Sequence, residues 1–283
     1  MIAIARLTVH ELVRRRVVWV LAILTVLSVA LVGWGLGRLV GLARENGTDD
    51  LQIQIGVSQV LILIAFMFSF VLAMTAAFVG APAIGGDLES GVAFAILARP
   101  LRRADVLLGR WLGSAVVVVA YALASGLLAI AVTGLITGYT QPDPPLAVAF
   151  LAAEALVLLT LTLALGSVLP SIAAGAIAVV GFGLGWMAGV LAGVAAALGV
   201  AALGSVAEVS RWLLPTDGLW RGVIYGLEPP LVVLIAAGRA PGLVQANPFY
   251  ASEPPPLPFV LWSVVWMGLV LATATWWFER RDL

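Results

Sequence analysis

The chain has 283 residues, of which 62% are hydrophobic and 11% charged, with a formal net charge of zero. A soluble domain carries roughly 45–50% apolar residues, so the composition excludes one and points to an all-α, polytopic membrane protein. Every basic residue is arginine, no cysteine is present, and the one histidine is His10. The missing lysine rules out a Walker A phosphate loop in this chain; the missing cysteine rules out disulfides, thiolate nucleophiles and cysteine metal sites. No cofactor or metal is expected to bind here, and no nucleic-acid partner.

Residues 1–16 place Ile2, Ala5, Val9, Leu12 and Val13 on one arc of a helical wheel, opposite Arg6, His10, Glu11, Arg14 and Arg15, with Ile4 and Leu7 on the polar side. This predicts an amphipathic helix lying in the membrane interface. Six later stretches, 17–36, 57–79, 112–136, 146–169, 172–203 and 258–278, are long enough for a hydrocarbon core that needs about 20 apolar residues. Six spans put both termini on one side of the bilayer. Arg6, Arg14, Arg15, Arg16, Arg99, Arg102, Arg103, Arg110, Arg280 and Arg281 share that side, against Arg38, Arg44, Arg211, Arg221 and Arg239 on the other. The positive-inside rule makes the first side cytoplasmic, in a cell (inner) membrane, and reads 1–283 as one transmembrane domain.

Between the second and third spans lies a charged insertion, 85–111. Pro82 with Gly85 and Gly86 reads as a helix stop, and Asp87 and Glu89 then head a short helical segment. Arg99-Pro100 ends it, because the residue before proline is pushed out of the α region. Arg102 and Arg103 open a second helix that continues into the third span at Trp111. A short helix along the inner membrane face, joined to a span by a tight corner, is suited to being held by another protein.

Glu154 is the one acidic side chain inside the apolar runs. A carboxylate at that depth costs a few kcal/mol unless it faces protein, pairs or stays protonated. It is therefore either a polar contact in a substrate path or gate, or a hydrogen-bonded group that helps two helices pack. Gly181, Gly185, Gly189 and Gly193 stand four apart in the fifth run, and Gly33, Gly37 and Gly41 repeat the pattern near the end of the first. Such ladders let a second backbone approach closely, within a subunit or across a dimer interface. The fifth run is longer than a perpendicular crossing needs, so it should tilt or project. The Pro-rich outer segment 204–257 contains one apolar run, 231–237, too short to cross; it predicts interfacial or partly re-entrant helices. It could cap a path or receive an extracytoplasmic partner.

Asp87 and Glu89 make a poor acid/base pair, since nothing nearby offers a nucleophile, a metal ligand or a desolvated pocket. The run Glu89-Ser90-Gly91, then Arg99-Pro100, Arg103 and Leu108-Gly109-Arg110, resembles the loop after the second span in permeases of ABC-2 type ABC transporters. That family usually carries lysine where Arg110 stands, and the exchange keeps the charge. The resemblance extends to the N-terminal helix ending in Arg14-Arg15-Arg16, to Leu214-Pro215-Thr216-Asp217 followed by Arg221, and to the terminal Phe278-Glu279-Arg280-Arg281-Asp282-Leu283. Within the family the layout is also similar to the permease type that serves nitrous-oxide reductase maturation.

The resemblance implies a permease that forms a homodimer and is powered by two separate ABC ATPase subunits, on which ATP and Mg would be bound. It makes Asp87, Glu89, Gly91, Arg99, Pro100, Arg102 and Arg103 the residues that couple to the ATPase, with the N-terminal helix beside them. It also implies export, and a meeting of the first and fifth spans across the dimer. The competing reading is an ion-coupled secondary transporter with Glu154 as proton carrier, against which stands the absence of matched halves with broken helices.

Overall fold

The structure is a computed structural model and describes residues 1–89, 102–229, 247–251 and 253–280. Among these the secondary structure is entirely helical: α1 (Ile2–Arg14), α2 (Arg16–Glu45), α3 (Asp50–Glu89), α4 (Arg103–Thr137), α5 (Pro144–Gly166), α6 (Ser171–Leu198), α7 (Ala201–Leu213), α8 (Thr216–Leu227) and α9 (Leu257–Arg280). Six of them, α2 to α6 and α9, are long and apolar enough to cross a membrane. Inside lipid every backbone N–H and C=O must be satisfied internally, and continuous helices do this from their own sequence.

The helix at the centre is α5, apolar on every side. A helix of that kind belongs inside a bundle, and α5 packs against α3, α4, α6, α8 and α9, burying Val157, Leu158, Leu159 and Leu163 completely. By contrast α2 touches mainly α4 and leaves Ile23, Leu27 and Leu31 exposed, as α9 leaves Leu261, Val265 and Leu269. Tyr121 Oη and Thr25 Oγ1 lie 2.6 Å apart and tie α2 to α4. Trp111, from the edge of the third span, donates its indole N–H to Thr160 Oγ1 at 3.0 Å, joining α4 to α5.

Two local outcomes differ from the sequence expectation. The first is that α3 does not stop at Pro82 but continues to Glu89. Its C-terminal end is held by close packing: a Cβ at Gly85 would stand 2.8 Å from Ser171 Oγ and one at Gly166 2.7 Å from the Ala81 carbonyl oxygen. Proline removes one backbone donor, a loss that surrounding helices make tolerable. The second is that the long fifth run is two helices. Gly199 sits at φ +68° and ends α6, a left-handed position glycine adopts without a Cβ penalty. Then α7 turns back along the bundle.

Together α7 and α8 form a hairpin whose corner, Leu214-Pro215, is sunk between spans. Leu214 packs on Gly181 and Gly185 in the middle of α6. The Trp266 indole donates to the Leu213 carbonyl at 2.8 Å, and Trp266 lies about 14 Å along α9 from Leu257 at 1.5 Å per residue. Of the segment 204–257, for which the sequence predicts interfacial or partly re-entrant helices, residues 204–227 form most of α7 and all of α8, while 231–237 lies outside the described residues. Trp262 donates to the Trp212 carbonyl at 2.9 Å. These two indoles satisfy carbonyls that the end of α7 leaves without helical partners. On its far side α8 packs so tightly on α5 that Gly222 lies on the Phe150 ring and Gly226 against Ala147 and the Asp143 carbonyl. The short segment 247–251 closes over the hairpin: Phe249 stacks among Phe66 and Trp186, with ring centroids 5.4 and 6.4 Å away, and the Pro248 carbonyl accepts from Trp220 at 3.2 Å.

Candidate functional site

The arginine-rich end of the bundle gathers several helix termini. At the last residue of α3, Glu89 reaches the start of α6, where its Oε1 accepts the Ser171 N–H at 2.7 Å and the Ser171 hydroxyl at 3.1 Å. The first turn of a helix has unpaired N–H groups and a positive dipole end, so a carboxylate there is favourable on both counts. At the first residue of α4, Arg103 does the converse, donating from Nη1 to the Phe278 and Glu279 carbonyls at 3.4 and 3.3 Å. A cation on terminal carbonyls complements the negative end of α9. Arg102 occupies the N-cap position of α4, is exposed, and makes no side-chain capping bond. Of the residues singled out for coupling, Glu89, Arg102 and Arg103 therefore flank one short interval. Gly91, Arg99 and Pro100 lie outside the described residues, as does the Asp87 side chain.

Beside this interval α1 is clamped on the start of α4. Gly109 and Gly113 leave room for it: a Cβ at Gly109 would meet Ile4 Cβ at 2.8 Å, and one at Gly113 the Ala5 carbonyl oxygen at 2.5 Å. Between them the nearly buried Arg110 pairs with Glu11 at 2.7 Å, and Glu11 also holds Arg15 at 2.6 Å. Burial alone would raise the Glu11 pKa, but the hydrogen bonds and charges of Arg15 and Arg110 hold it below the usual carboxylate range. The docked arc is thus Ala5, Thr8 and Leu12 with Glu11 at its edge, while Ile2 and Val13 of the expected apolar arc are exposed. Small and polar residues together with Leu12 bind α1 to the protein, while the apolar Ile2, Leu7 and Val13 are left exposed.

In the interior, Glu154 is 2% exposed and accepts a hydrogen bond at Oε2 from the Ser69 hydroxyl of α3. The pair joins the two most buried spans, and among the described residues Glu154 has no ion-pair partner.

The glycine ladders find neighbours within the chain. Gly33 and Gly37 receive Val132 and Ile136 of α4; Gly181 and Gly185 receive Leu214, with Thr216 also at Gly185, and Gly189 lies against the Asp217 carboxylate. Gly193 is buried and Gly41 faces open space. Asp217, at the sunken end of α8, accepts at Oδ2 from Arg211 Nε at 3.1 Å and Arg221 Nε at 3.4 Å. Arg221 also donates to the Gly189 carbonyl at 3.4 Å, fastening the hairpin to α6. At the outer end of α8, Glu228 is buried and accepts from the Ala251 N–H at 3.2 Å. Burial pushes its pKa up to about 7, against the hydrogen bonds of Ala251 and Gln59.

Sequence reasoning missed the Glu11–Arg110 clamp and Ser69, and it singled out Asp217 and Arg221 as a motif without reading their pairing or the part of Arg211 in it. Gly109 and Gly113, four apart at the head of a span, were the available signal for the clamp; no local pattern announces Ser69, which is remote in sequence. Among the described residues no group of three or more His, Cys, Asp or Glu side chains could hold a metal ion.

A family model described as ABC-2 family transporter protein matches residues 2–283, nearly the whole chain. No curated protein matches it. With six apolar helices, an arginine-rich end and a family match over nearly the whole chain, the chain belongs to the ABC-2 family of transporter proteins, as a membrane-embedded ABC permease.

Proposed function

We propose that this permease is half of an ATP-driven exporter. Two copies form the translocation path for an apolar or amphipathic substrate, and two separate ABC ATPase subunits, carrying ATP and Mg, drive it from the inner side. The arginine-rich end and both termini then face the cytoplasm of an inner (cell) membrane.

One observation carries the reading. The residues on either side of 90–101 hold the ends of other helices, Glu89 the start of α6 and Arg103 the end of α9, and the helix that Arg103 opens bears α1. A push on that interval reaches α1, α3, α4, α6 and α9 through direct contacts, which is what a transmitting element requires. Asp87, Glu89, Gly91, Arg99, Pro100, Arg102 and Arg103 are proposed as the coupling residues, with α1 alongside on the ATPase. The dimer is proposed through faces beside the glycine ladders, where α2 exposes Ile23, Leu27 and Leu31 and α6 exposes Val180, Leu184 and Met187. The outer hairpin and segment 247–251 then cap the path or meet an extracytoplasmic partner.

The test is purification from the native host in mild detergent, followed by reconstitution with the ATPase that accompanies the chain. Glu89→Ala and Arg103→Ala should retain assembly and ATP binding while losing ATP-driven transport. Transport by the chain alone, driven by an ion gradient and indifferent to ATP, would contradict the proposal. That second reading has one observation in its favour, the buried Glu154–Ser69 pair. It requires Glu154→Gln to abolish the pH dependence of transport.

A further inference from the structure

Beside the sunken hairpin is a cavity of about 560 Å³, walled by α7, α8, the start of α9 and the 253–256 segment. Its volume lies in the range of small-ligand sites, and its charges are layered. On α7, which descends from the surface, Glu208 comes before Arg211, about 4.5 Å nearer the outside at 1.5 Å per residue. Glu253 stands on the segment just before α9, and both glutamates are exposed at the mouth. Beneath them Arg211 and Arg221 line the wall and share the single carboxylate of Asp217. That layer therefore holds one more cation than anion, and among the described residues Arg211 has no hydrogen-bond partner besides Asp217. Below the arginines the wall turns aromatic, with Trp212 against Phe259 and Trp262 at centroid distances of 5.8 Å. Next to this aromatic seam the apolar Leu213 and Leu261 are exposed, at 71% and 58%.

From the surface inward the order is acid, base, aromatic, alkyl. A free anion would meet the glutamates first, and a cation would be repelled by the layer beneath. A molecule with an outer ammonium, a phosphate deeper in and hydrocarbon below that complements every layer. Guanidinium groups bind phosphate through charge-assisted forks, while an ammonium is held by carboxylates and an indole face. We propose that this cavity binds the headgroup of a zwitterionic phospholipid from the leaflet into which the hairpin dips. Its phosphate sits on Arg211 and Arg221, its amine between Glu208 and Glu253, and its chains run past Leu213 and Leu261. The lipid bridges the hairpin to α9 and supports the corner between α7 and α8 from the membrane side. The assignment is independent of the ATPase and of which leaflet is the outer one, because phospholipid headgroups present the same order of charges in either.

The test is native mass spectrometry of the full-length permease in detergent, titrated with phosphatidylethanolamine or phosphatidylglycerol. Wild type should retain the ethanolamine lipid over the glycerol lipid by about threefold, the contribution of one accessible ion pair. Glu208→Gln, at an exposed position that leaves the fold intact, should abolish that preference, and Arg211→Gln should weaken both lipids. Equal retention of the two lipids by wild type, or an unchanged preference in Glu208→Gln, overturns the proposal. Soluble glycerophosphoethanolamine supplies the same phosphodiester and ammonium charges without chains and should fail to displace the lipid at matched concentration. Displacement would make the site one for a soluble zwitterion and overturn the lipid assignment.

Discussion

The two ends of the bundle are held by different chemistry. At the arginine-rich end, proposed above to be the inner one, charged side chains grip helix termini and one another: Glu89 on Ser171, Arg103 on the Phe278 and Glu279 carbonyls, Arg110 on Glu11. At the opposite end, proposed to be the outer one, indoles and rings hold the α7–α8 hairpin against the long helices, with Trp262 and Trp266 on α7 carbonyls and Phe249 among Phe66 and Trp186. Charge-assisted contacts near water are directional yet individually weak, so a partner protein can trade them for its own. Backbone carbonyls and stacked rings away from water have fewer alternative partners and resist exchange. The comparison teaches that the inner end is suited to being rearranged and the outer end to staying closed until the helices beneath it move.

The sharpest break of the inner end is at Gly113. A Cβ there meets the Ala5 backbone oxygen at 2.5 Å, and backbone cannot step aside as a flexible side chain can. Gly113→Leu should expel α1 at a cost of about 3 kcal/mol, read as a lower melting temperature in detergent and as new protease cleavage within residues 1–16. At the outer end, Trp266→Phe keeps the ring but strands the Leu213 carbonyl. It should cost about 2 kcal/mol, and Trp262→Phe less, because that indole bond is exposed.

These positions also show how far the sequence could be read. Hydropathy located all six spans, because lipid demands long apolar helices and little else has that composition. Arginine placement sorted the helix ends into the two groups that the contacts gather. The apolar arc of α1 was legible only in part: Ala5 and Leu12 of it are buried, whereas Thr8 joins them and Ile2 and Val13 stay exposed, because tight packing on Gly109 and Gly113 selects by shape as well as by greasiness. Gly199 was hidden inside an apolar run, where only its φ of +68° marks the break. Ser69 was invisible as the partner of Glu154, since tertiary pairing leaves no local period. Glu89 and Arg103 were singled out as partner-facing, and their grip on α6 and α9 depends on which helix ends meet at one corner.

Smaller effects come from titration. Glu228, with a folded-state pKa of about 7 against about 4.3 unfolded, favours the folded protein most below pH 4 and progressively less up to pH 7. Glu228→Gln should therefore raise thermal stability at pH 8 and change it little at pH 4. Glu11 works in the opposite sense. Its depressed pKa contributes stability above about pH 4.3 that is lost as the pH falls through the folded-state value. Protease access to α1 should increase there in wild type and be pH-independent in Glu11→Gln.

The proposed role of the inner end is tested most directly by measuring ATP hydrolysis and substrate export together, in proteoliposomes containing the permease, its ATPase and Glu89→Ala. Losing the α6 cap costs about 1 kcal/mol, too little to unfold a six-span bundle, so the complex should assemble and hydrolyse ATP while export falls severalfold. Export that kept pace with hydrolysis in this variant would contradict transmission through the corner joining α3 to α6.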